Sequence, residues 1–287
     1  MSASAAQARR VERYYRWLDR LSFFAERRAE GEVAHPVHRA LLDPDAGPPS
    51  PLVAHRLIAA AVTLPEGFRA LDAGCGYGAT MLDLAPRLGG TWLGVTLSRA
   101  QAERGRRAIA AAGLAARVSI AVRSYDDPTE GGFDLAYGIE SLIHSADPPA
   151  TVARLAEALN PGGWLVVLDD VPEPGLPVDA AARLADFRRF WRAPVAPTRE
   201  GWLAALRGAG LDLVAERDLS PLLLSRDAAA TAPRLATLRR AWRLKRLLGL
   251  GVRAEAEMGG LLLEGLHREG WVRYRMLVAR RPPLSAA

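Results

Sequence analysis

A glycine-rich turn is the clearest candidate for chemistry in this 287-residue sequence. It reads Leu-Asp-Ala-Gly-Cys-Gly-Tyr-Gly over residues 71–78, between a short apolar run and a helical pattern. Glycines at such a junction let the backbone approach a ligand closely, and the first turn of the helix offers free amide groups. A tight turn that needs glycine only for its geometry is the alternative. The spacing differs from the Gly-x-Gly-x-x-Gly dinucleotide fingerprint, and the next predicted strand ends in Thr96 rather than in a ribose-binding carboxylate. The turn therefore favours a nucleotide-like cofactor and disfavours a dehydrogenase.

A carboxylate and a histidine follow the fourth predicted strand, in the segment Ile-Glu-Ser-Leu-Ile-His over residues 139–144. If this segment begins a helix, Glu140 and His144 stand four residues apart and share one face. The carboxylate could then stabilise a cation or hold a substrate hydroxyl, and the histidine could act as a base near neutral pH. The alternative is structural, with Glu140 bonded to backbone amides and His144 half-buried with its bonds satisfied.

Alternating strands and helices must position these residues. From residue 51 onward the pattern is typical of a parallel sheet with helices on both faces. We predict strands over 68–73, 91–97, 118–122, 133–138, 164–169, 211–218 and 271–279. We predict helices over 11–28, 52–62, 79–88, 98–112, 149–159, 178–191, 199–209, 233–248 and 254–268. These elements divide the chain into an N-terminal helical cap (1–50), a core (51–230), a helical insertion over the acceptor site (231–270), and a final strand with its tail (271–287).

Four segments together resemble the class I S-adenosylmethionine-dependent methyltransferases. The glycine turn is similar to their first motif, and Phe133–Tyr137 and Asn160–Trp164 are similar to their fourth-strand and pre-fifth-strand motifs. The segment Gly94–Gln101, which reads Gly-Val-Thr-Leu-Ser-Arg-Ala-Gln, resembles the sterol, tocopherol and cyclopropane-fatty-acid types. The resemblance implies a doubly wound, seven-stranded Rossmann-like α/β sheet that binds S-adenosyl-L-methionine. It implies that the cofactor is held by Asp72, Gly74, Gly76, Thr96, Leu97, Gln101, Ser124 and Tyr125.

The third strand departs from the family pattern. Where these enzymes usually carry an aspartate that meets the adenine amino group, this chain has Ser124. Either Ser124 makes a weaker hydrogen bond there, or Asp126 substitutes for it from two residues on.

The acceptor-facing residues also resemble family motifs. The segment with Glu140 and His144 is similar to the Ile-Glu-Ala-x-x-His stretch of sterol methyltransferases and to the Glu-Ser-x-x-His stretch of tocopherol ones, which implies catalytic roles for both. Tyr14 and Tyr15 resemble the paired tyrosines of the N-terminal lid in sterol-type enzymes, and core packing is their alternative.

The resemblance implies methyl transfer to carbon, oxygen or nitrogen of a small lipophilic acceptor of isoprenoid or secondary-metabolite type. One alternative is a cyclopropane-type lipid methylene transferase, although Ile143 stands where those enzymes place a glutamate. Another is a protein that methylates nothing and keeps S-adenosylmethionine as a structural ligand. A nucleic-acid enzyme is disfavoured, because a helix N-terminus explains Asp147-Pro148-Pro149 better than a nucleic-acid methyltransferase motif does.

Composition and charge exclude several classes. The single cysteine, Cys75, rules out a disulfide scaffold and a cysteine-rich metal site. His35 and His38 suggest a metal pair, but no cluster of further ligands supports it, so we expect no metal. The net charge of +6 is weak support for a nucleic-acid partner, because Lys245 is the only lysine and arginine is used throughout.

The N-terminus lacks the apolar core of a signal peptide, and no apolar stretch approaches the roughly 20 residues of a membrane span. We therefore expect a cytoplasmic protein. The oligomeric state stays open. An arginine- and leucine-rich stretch, with no acidic residue between Asp227 and Glu255, has three interpretations: a solvated helix face, a membrane-surface helix, or a site for an anionic acceptor such as a diphosphate.

Overall fold

The computed structural model describes residues 3–20, 37–45, 47–127 and 130–283, without the side chains of Arg20 and Arg243. Seven strands form one sheet in the order β3-β2-β1-β4-β5-β7-β6. The strands are β1 (Arg69–Ala73), β2 (Thr91–Thr96), β3 (Val118–Val122), β4 (Phe133–Ile139), β5 (Leu159–Pro172), β6 (Asp212–Asp218) and β7 (Val272–Arg280). The helices are α1 (Ala3–Arg20), α2 (Leu52–Ala61), α3 (Ala79–Leu88), α4 (Arg99–Ala111), α5 (Pro148–Ala158), α6 (Val178–Trp191), α7 (Arg199–Gly208), α8 (Ala228–Leu247) and α9 (Gly251–Arg268).

The predicted α/β sheet is confirmed, but it is mixed rather than wholly parallel. β1 to β5 pair in parallel, whereas β7 is antiparallel to both β5 and β6. The reversal follows from the connection, because β6 and β7 are joined by two helices, α8 and α9, that form a hairpin, as the pairs Arg226–Glu264 and Arg234–Glu257 show. The chain therefore returns to the edge of the sheet that it left after β6. Pairing with β7 reaches Pro172, so β5 extends beyond the predicted 164–169.

The two faces of the sheet bury alternate residues of each strand. In β5, Val166 packs on one face with α2, α3 and α4, while Leu165 and Val167 pack on the other with α5 and α7. This two-residue alternation places helices on both faces, as doubly wound sheets require. The carboxyl ends of the parallel strands therefore meet at one edge, where α1 and the helices after β5 cover them.

A separate helical layer covers that edge. α6, α8 and α9 share a hydrophobic cluster that includes Phe187, Leu238 and Leu262. α1 packs on this layer through Tyr14 and Leu18 against Ala256. The predicted boundaries assign α6 to the core at 51–230, whereas its buried side chains contact α8 and α9. No helix in the described part of the chain is long and apolar enough to cross a membrane.

Several predicted bounds were wrong. α1 begins at Ala3 rather than at residue 11, and residues 21–28 of that predicted helix lie outside the described ranges. α8 begins at Ala228, five residues before the predicted start, and carries Pro233 within it. The segment after β4 forms a single 3-10 turn over Leu142–His144 instead of the helix that was to align Glu140 with His144.

Candidate functional site

The glycine turn leads from β1 into α3 with a backbone that L side chains rarely adopt. φ is +101° at Gly74, +54° at Gly76 and +77° at Gly78. A side chain at position 74 would collide with the Cβ of Ser141, and one at position 76 would lie 3.2 Å from Val37 Cγ2. Gly74 N donates to the carbonyl of Val95 at 3.1 Å, which fastens the turn to β2. Both Gly74 and Gly76 line the main cavity, as predicted for a cradle that receives a ligand.

Asp72 supports this turn from inside. Its side chain is buried, does not line the cavity, and accepts a hydrogen bond from Tyr137 Oη at 2.9 Å. Burial raises the pKa of this carboxyl to about 7, although the bond from Tyr137 favours the ionised form. Direct contact between Asp72 and a cofactor therefore remains a prediction.

The end of β2 forms the next part of the cavity wall. Thr96, Leu97 and Gln101 all line the cavity. Thr96 Oγ1 donates to Gln101 Oε1 at 3.1 Å and accepts from Ser98 N at 3.2 Å. Ser98 caps α4 by accepting from Gln101 N at 3.2 Å. These bonds give the threonine and the glutamine a structural role, because the two side chains orient each other beside the glycine turn.

Ser124, Tyr125 and Asp126 line the same cavity from the end of β3. Ser124 Oγ accepts from Asp126 N at 3.0 Å, and Tyr125 Oη donates to the carbonyl of Ser141 at 3.1 Å. The Asp126 carboxylate accepts from Ser4 Oγ at 2.8 Å and from Thr151 Oγ1. The structure thus brings both candidates for the missing aspartate to the cavity wall.

Helix α1 forms a further wall of the cavity. Its Asp19 accepts from Ser98 Oγ at 2.9 Å and from Tyr77 Oη at 2.7 Å, next to the β2 segment and the glycine turn. Its Gln7 Nε2 donates to the carbonyl of His144 at 3.1 Å. Tyr14 lines the cavity and also packs in a hydrophobic cluster, and its lid role remains a prediction. α1 therefore has the position of a lid, and Asp19 is a residue that no motif pointed to.

Glu140 stands at the centre of a polar cluster in the cavity wall. Its Oε1 accepts from Arg39 N at 3.2 Å, from Arg39 Nε at 2.8 Å and from Tyr274 Oη at 3.1 Å. Arg39 Nη2 also donates to Asp170 Oδ2 at 2.7 Å, and His267 Nε2 lies 2.7 Å from Asp170 Oδ1. Among the described residues, all three bonds to Glu140 fall on Oε1 and none on Oε2. The second oxygen is therefore available to a ligand.

The backbone of Glu140 is strained, with φ at +51°. Such left-handed conformations in residues other than glycine persist where the surroundings hold them, and they concentrate at functional sites. Here Glu140 N donates to the carbonyl of Leu168 at 2.8 Å, and Ile143 N donates to Asp169 Oδ2 at 2.9 Å. These bonds bend the chain into a turn and aim Glu140 at the cavity. The predicted backbone-amide alternative holds in part, because one of its bonds comes from Arg39 N.

His144 contacts the lid rather than Glu140. Its Nε2 lies 2.9 Å from Tyr15 Oη, and its Nδ1 lies 3.4 Å from the carbonyl of Arg192. Burial lowers the pKa of this imidazole to about 4, so it is neutral near pH 7. A proton on Nδ1 would then satisfy Arg192, and Nε2 would accept from Tyr15. His144 and Glu140 both line the cavity but belong to different hydrogen-bond groups.

A second histidine group lies behind the cavity wall. His38 lines the cavity, and its Nε2 lies 3.0 Å from His55 Nε2. His55 Nδ1 lies in turn 2.8 Å from Asp83 Oδ2. His35, the other half of the suggested metal pair, is outside the described residues. Within the described ranges no group of three or more His, Cys, Asp or Glu side chains could hold a metal ion.

All these walls enclose one cavity of about 870 Å³, near the top of the range for small-molecule sites. Within the described residues, four arginines and four carboxylates line it: Arg39, Arg123, Arg226, Arg268, Asp126, Glu140, Glu257 and Glu264. The remaining wall between them is largely apolar, through Val11, Leu18, Ile139, Leu223, Leu261 and Leu263. Among the described residues, none from α8 lines the cavity, so the arginines of α8 do not form an anion site in this cavity.

The residues that sequence reasoning missed come from distant segments. Arg39 lies before the proline-rich linker, Asp170 at the end of β5, and His267 and Tyr274 around the α9–β7 connection. No motif marks any of them. Only Asp170 could have been found from the sequence. It lies near the carboxyl end of β5, and ligands of α/β sheets bind at the carboxyl ends of the strands.

Sequence comparison supports the resemblance. Residues 9–216 match the family described as a methyltransferase domain. Methyltransferase GfsG of Streptomyces halstedii is 33% identical over 156 residues, which are 54% of this chain and 56% of that protein. Tocopherol O-methyltransferase of Arabidopsis thaliana is 36% identical over 102 residues, 35% of this chain and 28% of that protein. The chain thus matches little more than half the length of the first relative and less of the second.

Solved structures share the fold over nearly the whole chain. The [4+2]-cyclase SpnF has a TM-score of 0.70 at 22% identity and covers 95% of both chains. Geranyl diphosphate C-methyltransferase from Streptomyces coelicolor, solved with Mg²⁺, geranyl diphosphate and S-adenosyl-L-homocysteine, has a TM-score of 0.69 at 20% identity, covering 98% of this chain and 100% of that one. At these identities the likeness concerns the fold alone. The family match spans well over half of the sequence, including the glycine turn and the β2 segment, so this chain belongs to the class I S-adenosylmethionine-dependent methyltransferase family.

Proposed function

We propose that the protein transfers a methyl group from S-adenosyl-L-methionine to a small lipophilic acceptor that carries a hydroxyl or amine and no net negative charge. One observation carries this proposal. One cavity is lined by the glycine cradle, by a largely apolar wall and by Glu140, whose Oε2 accepts no hydrogen bond from the described residues.

The residues at the cradle fit the cofactor. Positive φ angles at Gly74 and Gly76 leave backbone where a side chain would fill the space. Thr96 and Gln101 offer polar atoms for a ribose, and Leu97 and Tyr125 offer surfaces for the adenine. When bound, S-adenosylmethionine would supply an electrophilic methyl group on a sulfonium.

Glu140 would orient the acceptor and take its proton. With Oε1 held by Arg39 and Tyr274, the carboxylate has a fixed direction, and Oε2 can accept a hydrogen bond from an acceptor hydroxyl. A positioned carboxylate of this kind aligns the nucleophile and removes its proton. His144 would act through Tyr15, which it holds at 2.9 Å in the wall of the lid. The lid would exclude water from the reacting methyl group.

The balance of charge in the cavity supports an acceptor without a phosphate. Arg39 is paired with Glu140 and Asp170, and Arg226 is paired with Glu264 at 2.6 Å. A diphosphate would have to compete with these carboxylates for Arg39 and for Arg226. The proposed acceptor therefore differs in class from geranyl diphosphate, the ligand of one structural neighbour.

The direct test has two parts. Calorimetry with S-adenosylmethionine and its demethylated product should show micromolar binding, with none for NAD. Incubation with labelled cofactor and a panel of lipophilic alcohols, phenols and amines should then show methyl transfer. Tight cofactor binding without transfer to any acceptor would contradict the proposal and favour a protein that keeps the cofactor as a structural ligand.

Asp126 offers a sharper test of the cofactor site. We propose that it meets the adenine amino group in place of the residue at 124. Asp126→Asn should raise the Kd of the demethylated cofactor about tenfold or more, since a bond to a charged group contributes about 1.5–3 kcal/mol. Asp127→Asn is the matched control, because Asp127 is exposed and its Oδ2 accepts from Ser124 N at 3.0 Å outside the cavity. Equal Kd values for the two variants would remove Asp126 from the site.

A further inference from the structure

The C-terminal end of α8 exposes large apolar side chains. Leu244, Leu247 and Leu248 are 61%, 85% and 65% exposed, and Leu250 in the following turn is 40% exposed. Leu238 is buried on the same helix, more than one and a half turns before the exposed set. Four leucines within seven positions form a cluster on the surface, whereas scattered single exposed residues are ordinary.

Basic side chains lie among these leucines along α8. Earlier on α8, Arg234 pairs with Glu257 and Arg239 with Asp186. Within the described ranges no ion pair joins Arg240, Lys245 or Arg246 to a carboxylate. The sequence has no acidic residue between Asp227 and Glu255, so α8 itself supplies none. The end of α8 therefore combines apolar side chains with uncompensated positive charge.

This surface adjoins the lid. α9 begins at Gly251, and its Val252 packs with Tyr14, Tyr15 and Leu18 of α1. Arg10 and Arg13 of α1 share a surface depression with Val252. The exposed leucines of the α8–α9 turn thus lie next to the helix that covers the cavity.

We infer that the α8–α9 turn docks on an anionic lipid surface. Leu247 and Leu248 would enter the boundary between headgroups and acyl chains, and Arg240, Lys245 and Arg246 would contact lipid phosphates. This step rests on the proposed function: docking would place α1 at the membrane, where a lipophilic acceptor is concentrated. Charge complementarity favours this occupant over a second copy of the chain, since two such surfaces repel each other. The leucines favour it over nucleic acid, which basic residues alone would bind.

Vesicle flotation of the purified chain tests the inference without cofactor or acceptor. The protein should float with phosphatidylglycerol vesicles, remain unbound with phosphatidylcholine vesicles, and bind less as salt is raised. The paired substitution Leu247→Ser with Leu248→Ser should weaken binding at least tenfold, since each leucine contributes apolar burial. Val178→Ser is the matched control, because Val178 is 89% exposed on α6, away from the turn.

Charge is tested separately from apolar contact. Arg240→Gln with Lys245→Gln should lower binding and flatten its salt dependence, whereas Arg207→Gln on the exposed face of α7 should leave both unchanged. Thermal unfolding checks that each variant folds as the parent does. Absence of flotation by the parent chain, an unaffected leucine pair, or a dimer that the leucine pair dissolves would overturn the inference. So would tight binding of duplex DNA with no binding of vesicles. None of these outcomes depends on methyl transfer.

Discussion

Replacing Glu140 with glutamine should lower turnover about 100- to 1,000-fold, the usual contribution of a positioned general base. The amide keeps the volume of the side chain and can still accept from Tyr274 Oη, now 3.1 Å from Oε1. It cannot take a proton from the acceptor, and it loses its charge against Arg39. Because the side chain of Glu140 bonds to Arg39 and Tyr274 rather than to the glycine turn or the β2 segment, the Kd of the demethylated cofactor should stay within twofold. Steady-state kinetics with calorimetry on the same preparations measures both.

Glu216→Gln is the matched control for loss of a paired carboxylate. The side chains of Glu216 and Glu140 are 15% and 13% exposed, and both pair with arginine, but Glu216 lies on β6 and does not line the cavity. Its variant should retain turnover. Tyr274→Phe, which removes one bond to Oε1 and leaves the charge, should lose about tenfold or less. Parental turnover in Glu140→Gln would exclude Glu140 from the chemistry and leave it a structural partner of Arg39.

Local pattern was sufficient to predict the part of the cavity wall that the glycine turn and the β2 segment form. Apolar runs that alternate with amphipathic ones indicate the order of strands and helices along the chain. Gly74 and Gly76 are required by the positive φ angles of their own turn. Thr96 and Gln101 bond to each other across only five positions. These features depend on neighbours in sequence, so the sequence indicates them directly.

The polar cluster around Glu140 depends on contacts between distant segments. Arg39 and Glu140 are 101 positions apart, and Glu140 and Tyr274 are 134 apart. The residues next to Arg39 and Tyr274 in the sequence do not indicate a functional role for either. The two side chains come close to Glu140 only because β7 lies beside β5 in the sheet. The turn at Leu142–His144 was misread as a helix for the same reason. Asp169 from β5 accepts a hydrogen bond from Ile143 N, which prevents a regular helix in this segment. The periodicity of the segment's own residues does not indicate that contact.

Asp72→Asn should stabilise the unliganded chain at pH 8 and not at pH 4. The pKa of Asp72 is raised from 3.8 to about 7 in the folded state, chiefly by burial. Between these values the folded chain binds a proton that the unfolded chain lacks, so stability falls as pH rises through this window. Above pH 7 the buried charge is fully present, at a cost of up to about 4 kcal/mol at ~1.36 kcal/mol per pKa unit. The amide removes the charge and can still accept from Tyr137. Urea unfolding of parent and variant at both pH values measures the difference.

His38 provides a control of opposite sign. Burial and the neighbouring His55 lower its pKa to about 3, so the unfolded chain binds the extra proton and stability is lost as pH falls below 6.5. His38→Gln should therefore reduce acid sensitivity, while Asp72→Asn reduces sensitivity to alkali. The same stability gain for Asp72→Asn at pH 4 and pH 8 would show that packing rather than ionisation sets its effect. If the stabilised variant also loses binding of the demethylated cofactor, Asp72 retains a costly buried charge for the ligand, which is the cofactor role that its motif implies.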